Sequence, residues 1–189
     1  MPNKSLDYKS IFQAVIADER YQRNIEWGKP RPGHPEGTVR AHIAELESNL
    51  EILKPRLNET DLWKLKLLIH THDSFKAESK PFIPIIDPAS HASQARAFLA
   101  EFCPDEDLLT MVQYHDEPYA LWLQTKSKGA YNQKRMNALI GNIKDWSLFL
   151  AFIIIDGCTR GKSREPLQWL FAELEGKVKS RFTEADIIP

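Results

Sequence analysis

Cysteine is scarce in this chain: Cys103 and Cys158 are the only two in 189 residues, and no CxxC spacing occurs. That excludes a disulfide framework and a thiolate zinc site. It predicts two small buried thiols in a reducing compartment. Long apolar runs are also missing. The longest, Leu148 to Ile155, covers eight residues, whereas a bilayer span needs about 20. The residues from Met1 to Asp7 carry no apolar stretch of the signal-peptide kind, so a cytoplasmic protein with no membrane partner is expected. An excess of charge of one sign is lacking too: 25 Lys and Arg stand against 26 Asp and Glu, for a net charge of −1. With no global basic field, the balance argues against nucleic acid as a partner. No repeat or low-complexity tract interrupts the chain.

What is present fits one globular domain over residues 1–189. The 42% hydrophobic and 27% charged fractions are ordinary. A chain of this size buries about 70% of its unfolded surface. Proline and glycine mark two loops, Trp27 to Pro35 and Lys80 to Pro88. Gln124 to Lys134 reads as an exposed basic connection. Between these breaks the apolar period is helical. Helices are predicted over Tyr8 to Ile25; from Thr38 through Leu53; after Asn58 through Phe75; over Ser90 to Phe102; from Asp105 through Tyr119; over Met136 to Asp156; and from Pro166 to about residue 182. Thr38 and Asn58 are natural caps. Only Phe82 to Ile86 has any strand character. The fold class is therefore all-α, a bundle of six or seven helices with its core in residues 35–156.

Polar residues interrupt the apolar rows of five of these helices. His42 follows Val39 and precedes Leu46; His72 follows Leu65, Leu68 and Ile69; His91 starts the row of Ala95, Phe98 and Phe102; His115 follows Leu108, Met111 and Val112; Asp156 follows Phe149, Phe152 and Ile153. Asp73 sits beside His72, about 100° around the helix. An unpaired buried carboxylate is very costly, so several imidazoles and acids turned inward together call for a cation. Neutral imidazole and ionised carboxylate are good ligands for first-row metals. Six ligands exceed the four that one structural zinc takes. They suffice for two ions, with Asp73 bridging. His70, two residues from His72, points to the opposite face, and His34 reads as a solvated loop residue. Trp63, Trp122, Trp146 and Trp169 fall at helical spacings and read as core or interface.

The ordered set His42, His72-Asp73, His91, His115 and Asp156 resembles the HD-domain superfamily of metal-dependent phosphohydrolases. The local contexts are similar as well: Pro35-Glu36-Gly37-Thr38-Val39-Arg40-Ala41-His42 and Leu67-Leu68-Ile69-His70-Thr71-His72-Asp73-Ser74-Phe75-Lys76. The likeness spans Pro35 to Asp156, nearly two-thirds of the chain. His91 and His115 match members that hold two metals. Phe75 departs from the glycine the family often has there. No GYP follows His115, so the cyclic-dinucleotide phosphodiesterase subgroup is not supported.

The resemblance implies an HD-type bundle that hydrolyses a small phosphate ester, with nucleotides among the candidates. One or two divalent ions would serve: iron, manganese, zinc, nickel or cobalt, with magnesium also admissible. Attack would come from a metal-bound hydroxide, since a bound ion lowers the pKa of water from 15.7 towards roughly 7. Asp73 and Lys76 are the expected catalytic residues. Lys76, with Arg160 and Lys162 from the cluster that also holds Arg164, is expected to bind the phosphate. The Lys80 to Pro88 segment is expected to pass the mouth of the site as a wall or lid. Two alternatives share the same ligands: a di-iron oxygenase of the HD fold, and a nucleotide-binding sensor without turnover. A homodimer is left open.

Overall fold

The computed structural model describes residues 6–32, 34–80 and 83–189. The chain is all-helical, and the described residues contain no β-strand beyond isolated bridges at Gly28–Thr38 and Arg31–His34. Among the described residues ten α-helices run in order: α1 (Tyr8–Ala17), α2 (Glu19–Asn24), α3 (Val39–Leu53), α4 (Glu59–Thr71), α5 (His91–Ala100), α6 (Glu106–Tyr114), α7 (Glu117–Lys128), α8 (Gln133–Asn142), α9 (Trp146–Gly157) and α10 (Glu165–Leu174). The Met1–Ser5 stretch read for a leader, Gly33 of the first loop, and Pro81 and Phe82 of the second lie outside the described residues.

The count exceeds six or seven because three predicted helices are each broken once. Asp18 ends α1 with an extended backbone and caps α2, its carboxylate accepting from the Arg20 amide. Pro118 near the start of α7 forces a restart after His115 and Asp116. Ile143 is extended, and Asp145 caps α9 by accepting from the Leu148 amide. The Asp107 carboxylate fixes that bend by taking the amides of Lys144 and Asp145, each at 2.9 Å. The basic connection is helical as far as Lys128, where Gly129 closes α7 in the left-handed region. The last helix is shorter than expected, since Glu175 turns extended. Phe182 and Ile188 then pack back on the core as non-helical chain. The described part of the predicted strand, Ile83 to Ile86, is bend and turn.

The core centres on α9, which is apolar on every side: Leu148 to Ile155 are all buried. Helices α3, α4 and α10 all pack on it, with α3 against α4 and α7 against α10. Each buried Leu, Ile or Phe contributes roughly 1.5–3 kcal/mol. This packing brings the end of α4, carrying His72, against the last turn of α9, carrying Asp156. Both cysteines are free and buried. No single helix among the described residues is long and apolar enough to cross a membrane.

Candidate metal centre

Each site residue is held by local backbone chemistry. His42 lies in the first turn of α3, which Thr38 caps by accepting from the Ala41 amide. Thr38 is set by its bridge to Gly28, whose φ of 123° suits glycine; a Cβ there would stand 2.4 Å from the Gly37 carbonyl oxygen. His72 is the C-cap of α4, and its Nδ1 donates to the Leu68 and Ile69 carbonyls, each at 3.1 Å. His115 is the C-cap of α6, with Nδ1 donating to the Val112 carbonyl at 2.7 Å. A carbonyl only accepts, so both Nδ1 atoms carry a proton, and each Nε2 is a lone-pair donor whenever its ring is neutral. His91 opens α5 behind the Ser90 cap. The Phe152 ring packs edge-on against His72 at 5.2 Å, fixing its plane.

The six residues converge. His42 Nε2 stands 2.9 Å from Asp156 Oδ1, and His72 Nε2 stands 4.0 Å from that oxygen and 3.4 Å from Asp73 Oδ2. The other Asp73 oxygen, Oδ1, lies 3.4 Å from His115 Nε2 and 3.7 Å from His91 Nε2, and these two nitrogens are 3.2 Å apart. Ligand atoms around one ion at about 2.1 Å stand roughly 3.0–3.5 Å apart for adjacent positions and about 4.2 Å for opposite ones. The spacings fit three donor groups: His42, His72 and Asp156; Asp73, His91 and His115; and His34, Glu36 and His42, which shares His42 with the first. One Asp73 oxygen is turned to His72 and the other to His91 and His115. Two atoms aimed into this space, His72 Nε2 and Asp73 Oδ1, are buried without a hydrogen-bond partner. In a folded interior such orphans are rare, and a divalent ion in each donor set would satisfy them.

Asp116 joins the second set and was not read as a ligand from sequence. Its Oδ2 is 3.2 Å from His91 Nε2 and its Oδ1 is 3.6 Å from His115 Nε2. Glu36 and His34 also belong to the neighbourhood. His34, read as a solvated loop residue, is instead partly buried, pairs with Glu36 at 2.9 Å and packs its ring on His42. Glu36 Oε1 lies 3.0 Å from His42 Nδ1, out of line for a hydrogen bond. The repeated His-Asp dipeptide was the available signal for Asp116. The proximity of Glu36 to His42 carried none, because it depends on the fold of the Gly28 loop.

The electrostatics suit a cation. Burial opposes ionisation of Asp73, yet His72, Lys76 and His115 outweigh it and hold the carboxyl well below its usual range. Burial likewise opposes ionisation of Asp156, but Lys162, His42 and His72 lower it. Asp116 is lowered by His115 and by its hydrogen bond to His91, again against burial. Burial pushes His72 down, keeping it neutral. Burial also pulls on His115, but Asp116 and Asp73 raise it to about 8. The Lys76 ammonium pairs with Asp73, and Lys162 Nζ lies 2.8 Å from Asp156 Oδ1.

These groups floor a cavity of about 370 Å³ lined by His34, His72, Asp73, Lys76, His115, Asp116, Asp156 and Lys162, and beyond them by apolar side chains. Arg160 is not brought to it: its side chain is 77% exposed and tied to Glu45 at 2.6 Å, and its amide donates to the same carboxylate. Arg164 is spent on carbonyls of Gly157, Cys158, Lys162 and Ile188, stapling the C-terminal segment. Of that cluster Lys162 alone lines the cavity. The described part of the second proline loop is not its wall either. Among the described residues, none from Ile83 to Pro88 lines the cavity; the Ile85 carbonyl is pinned by Ser90, Ser93 and Gln113. Trp122, read as core or interface, lines the cavity. His70 lies away from it, between Tyr21 and Glu47.

The chain matches no protein-family model, no curated protein and no solved structure. The meaning of the site rests on its geometry.

Proposed function

We propose that this chain is a divalent-metal-dependent hydrolase of a small phosphate ester, built on an HD-type helical bundle. One observation carries the reading: two sets of imidazole and carboxylate donors lie side by side, with an Asp73 oxygen 3.4 Å from a histidine of each, and their His72, Asp73, His115 and Asp156 line one cavity with two lysine ammoniums. His42, His72, Asp73 and Asp156 would hold one ion; Asp73, His91, His115 and Asp116 would hold the other. When bound, such ions supply Lewis acidity towards phosphoryl oxygens and a nucleophilic water at neutral pH. The chain's own part is positional. The carbonyl-anchored His72 and His115 fix the donor directions. Lys76 and Lys162 now neutralise Asp73 and Asp156; once cations take over that task, both ammoniums are free to meet an anionic substrate. Asp73 serves both donor sets and sets the distance between them.

The lysines favour hydrolysis of an anion over oxygenase chemistry on a neutral C–H bond. Elemental analysis of the purified protein, paired with phosphate release from a panel of esters with added Mn²⁺, tests the proposal. One to two equivalents of transition metal and release of phosphate are expected. Iron-bound protein that consumes oxygen with a reductant and releases no phosphate establishes the oxygenase instead. Thermal stabilisation by a nucleotide with no turnover establishes the sensor.

A further inference from the structure

The cavity is not uniform. Its floor carries the acids, imidazoles and lysines, whereas its extension runs between α7, α9 and α10 and is lined by Pro118, Tyr119, Trp122, Ile153, Leu167 and Leu170. Among the described residues, no charged side chain other than those of the floor lines the cavity. The Ser163 hydroxyl at its edge already accepts from the Glu165 amide. Tyr119 and Trp122 stand one turn apart on α7 with ring centroids 5.5 Å apart and planes 30° from parallel. Tyr119 is 50% exposed, unusual for a large aromatic residue beside a polar centre. The walls are braced from outside: Lys126 of α7 pairs with Glu165 of α10 at 2.9 Å, and the Tyr131 hydroxyl donates to Glu173 at 2.6 Å. The arm is thus framed by packed helices whose apolar side chains face inward.

We infer that the apolar arm between α7 and α10 receives the alcohol portion of the substrate, and that this portion is an uncharged, flat aromatic group. The inference rests on the phosphate-ester reading of the floor. A phosphate seated against Lys76 and Lys162 directs its ester substituent into the arm, the continuation of the same cavity. There the Tyr119 and Trp122 rings offer aromatic surface, with the Lys126 ammonium over the Trp122 ring at 5.7 Å from its centroid, and Leu167 and Leu170 offer area. A charged substituent would lose its hydration among these side chains with nothing to replace it. A small alkyl substituent would leave the aromatic surface uncovered and forgo the apolar area. The total volume falls within the range of about 300–1,000 Å³ usual for small-molecule sites.

Calorimetric titration of the Mn²⁺-loaded protein with phenylphosphonate and with methylphosphonate separates the floor from the arm. Phenylphosphonate is expected to bind at least about tenfold more tightly. Trp122→Ala is expected to shrink that ratio below about threefold, leaving methylphosphonate affinity and manganese content as they were. Tyr119→Ala, at a half-exposed position, gives the same readout should the Trp122 variant fail to fold. Equal affinity for the two phosphonates, or a ratio unchanged in the variants, overturns the inference while the floor reading stands. Binding of neither phosphonate removes the phosphate-ester reading, and the inference with it.

Discussion

The molecule contains the dipeptide His-Asp twice, at His72-Asp73 and at His115-Asp116, and the two copies begin alike. Each histidine caps the C-terminus of a helix in right-handed helical geometry, ties Nδ1 to carbonyls of the preceding turn and turns Nε2 into the cavity. The acids then part. Asp73 is 5% exposed and reaches both donor sets, one oxygen to each. The Asp116 side chain is 41% exposed and reaches only His91 and His115. The chain after Asp73 is buried at Ser74 and Phe75, whereas after Asp116 it restarts a helix at once, with Pro118 in its first turn. Identical chemistry in sequence therefore becomes a shared ligand in one place and an edge ligand in the other. Burial, more than residue type, decides between them.

The sharpest way to break this comparison is to remove each acid in turn. Asp73→Ala should cost both ions, leaving less than about a tenth of the wild-type metal by elemental analysis, because both donor sets lose an oxygen and His72 and His115 lose their shared partner. Asp116→Ala should spare the first ion and weaken the second by about 10- to 100-fold, read as a second phase in a Mn²⁺ titration. If both variants lost metal equally, the distinction between shared and edge ligand would be wrong.

A smaller effect is expected beside the doublets. Lys162→Ala should raise KM for an anionic ester about tenfold, the weight of one charge-assisted contact of roughly 1.5 kcal/mol, with metal content retained. An unchanged KM would leave Lys162 as a partner of Asp156 only. The smallest effect is a control away from both doublets. Asp105 pairs with Lys64 at 2.7 Å, accepts from the Tyr8 hydroxyl and caps α6. Burial opposes its ionisation, but Lys64 and Tyr8 lower its pKa. A depressed carboxyl contributes stability that is complete above about pH 4, its unfolded value, and is lost as pH falls through the lower folded value. Asp105→Asn should therefore cost about 1 kcal/mol at pH 7 and flatten the acid limb of a Tm-against-pH curve, without touching metal content.

Much of this architecture was legible because apolar residues recur at helical spacing and because Thr38 and Asn58 are strong caps. Five of the six inward His and Asp residues were legible for the same reason, since each falls on an apolar row; Asp73 was legible as the neighbour of His72. The breaks at Asp18, His115 and Ile143 were not, since the apolar period runs through them, and tertiary hydrogen bonds such as Asp107 to the Lys144 and Asp145 amides decide where the chain turns. Arg160 looked like Lys162 in sequence. Their separation depends on Glu45, 115 positions away, which captures one and not the other. Glu36 and His34 became part of the site only through the bridge that lays Gly28 against Thr38.

The central claim is that acids and imidazoles from five helices and their ends converge to hold divalent ions. Anomalous diffraction from a crystal of the intact protein grown with Mn²⁺ tests it most directly. Two peaks are expected, one among His42, His72, Asp73 and Asp156 and one among Asp73, His91, His115 and Asp116, flanking the Asp73 carboxylate. Manganese bound elsewhere, or no peak beside Asp73 at saturating Mn²⁺, would contradict it.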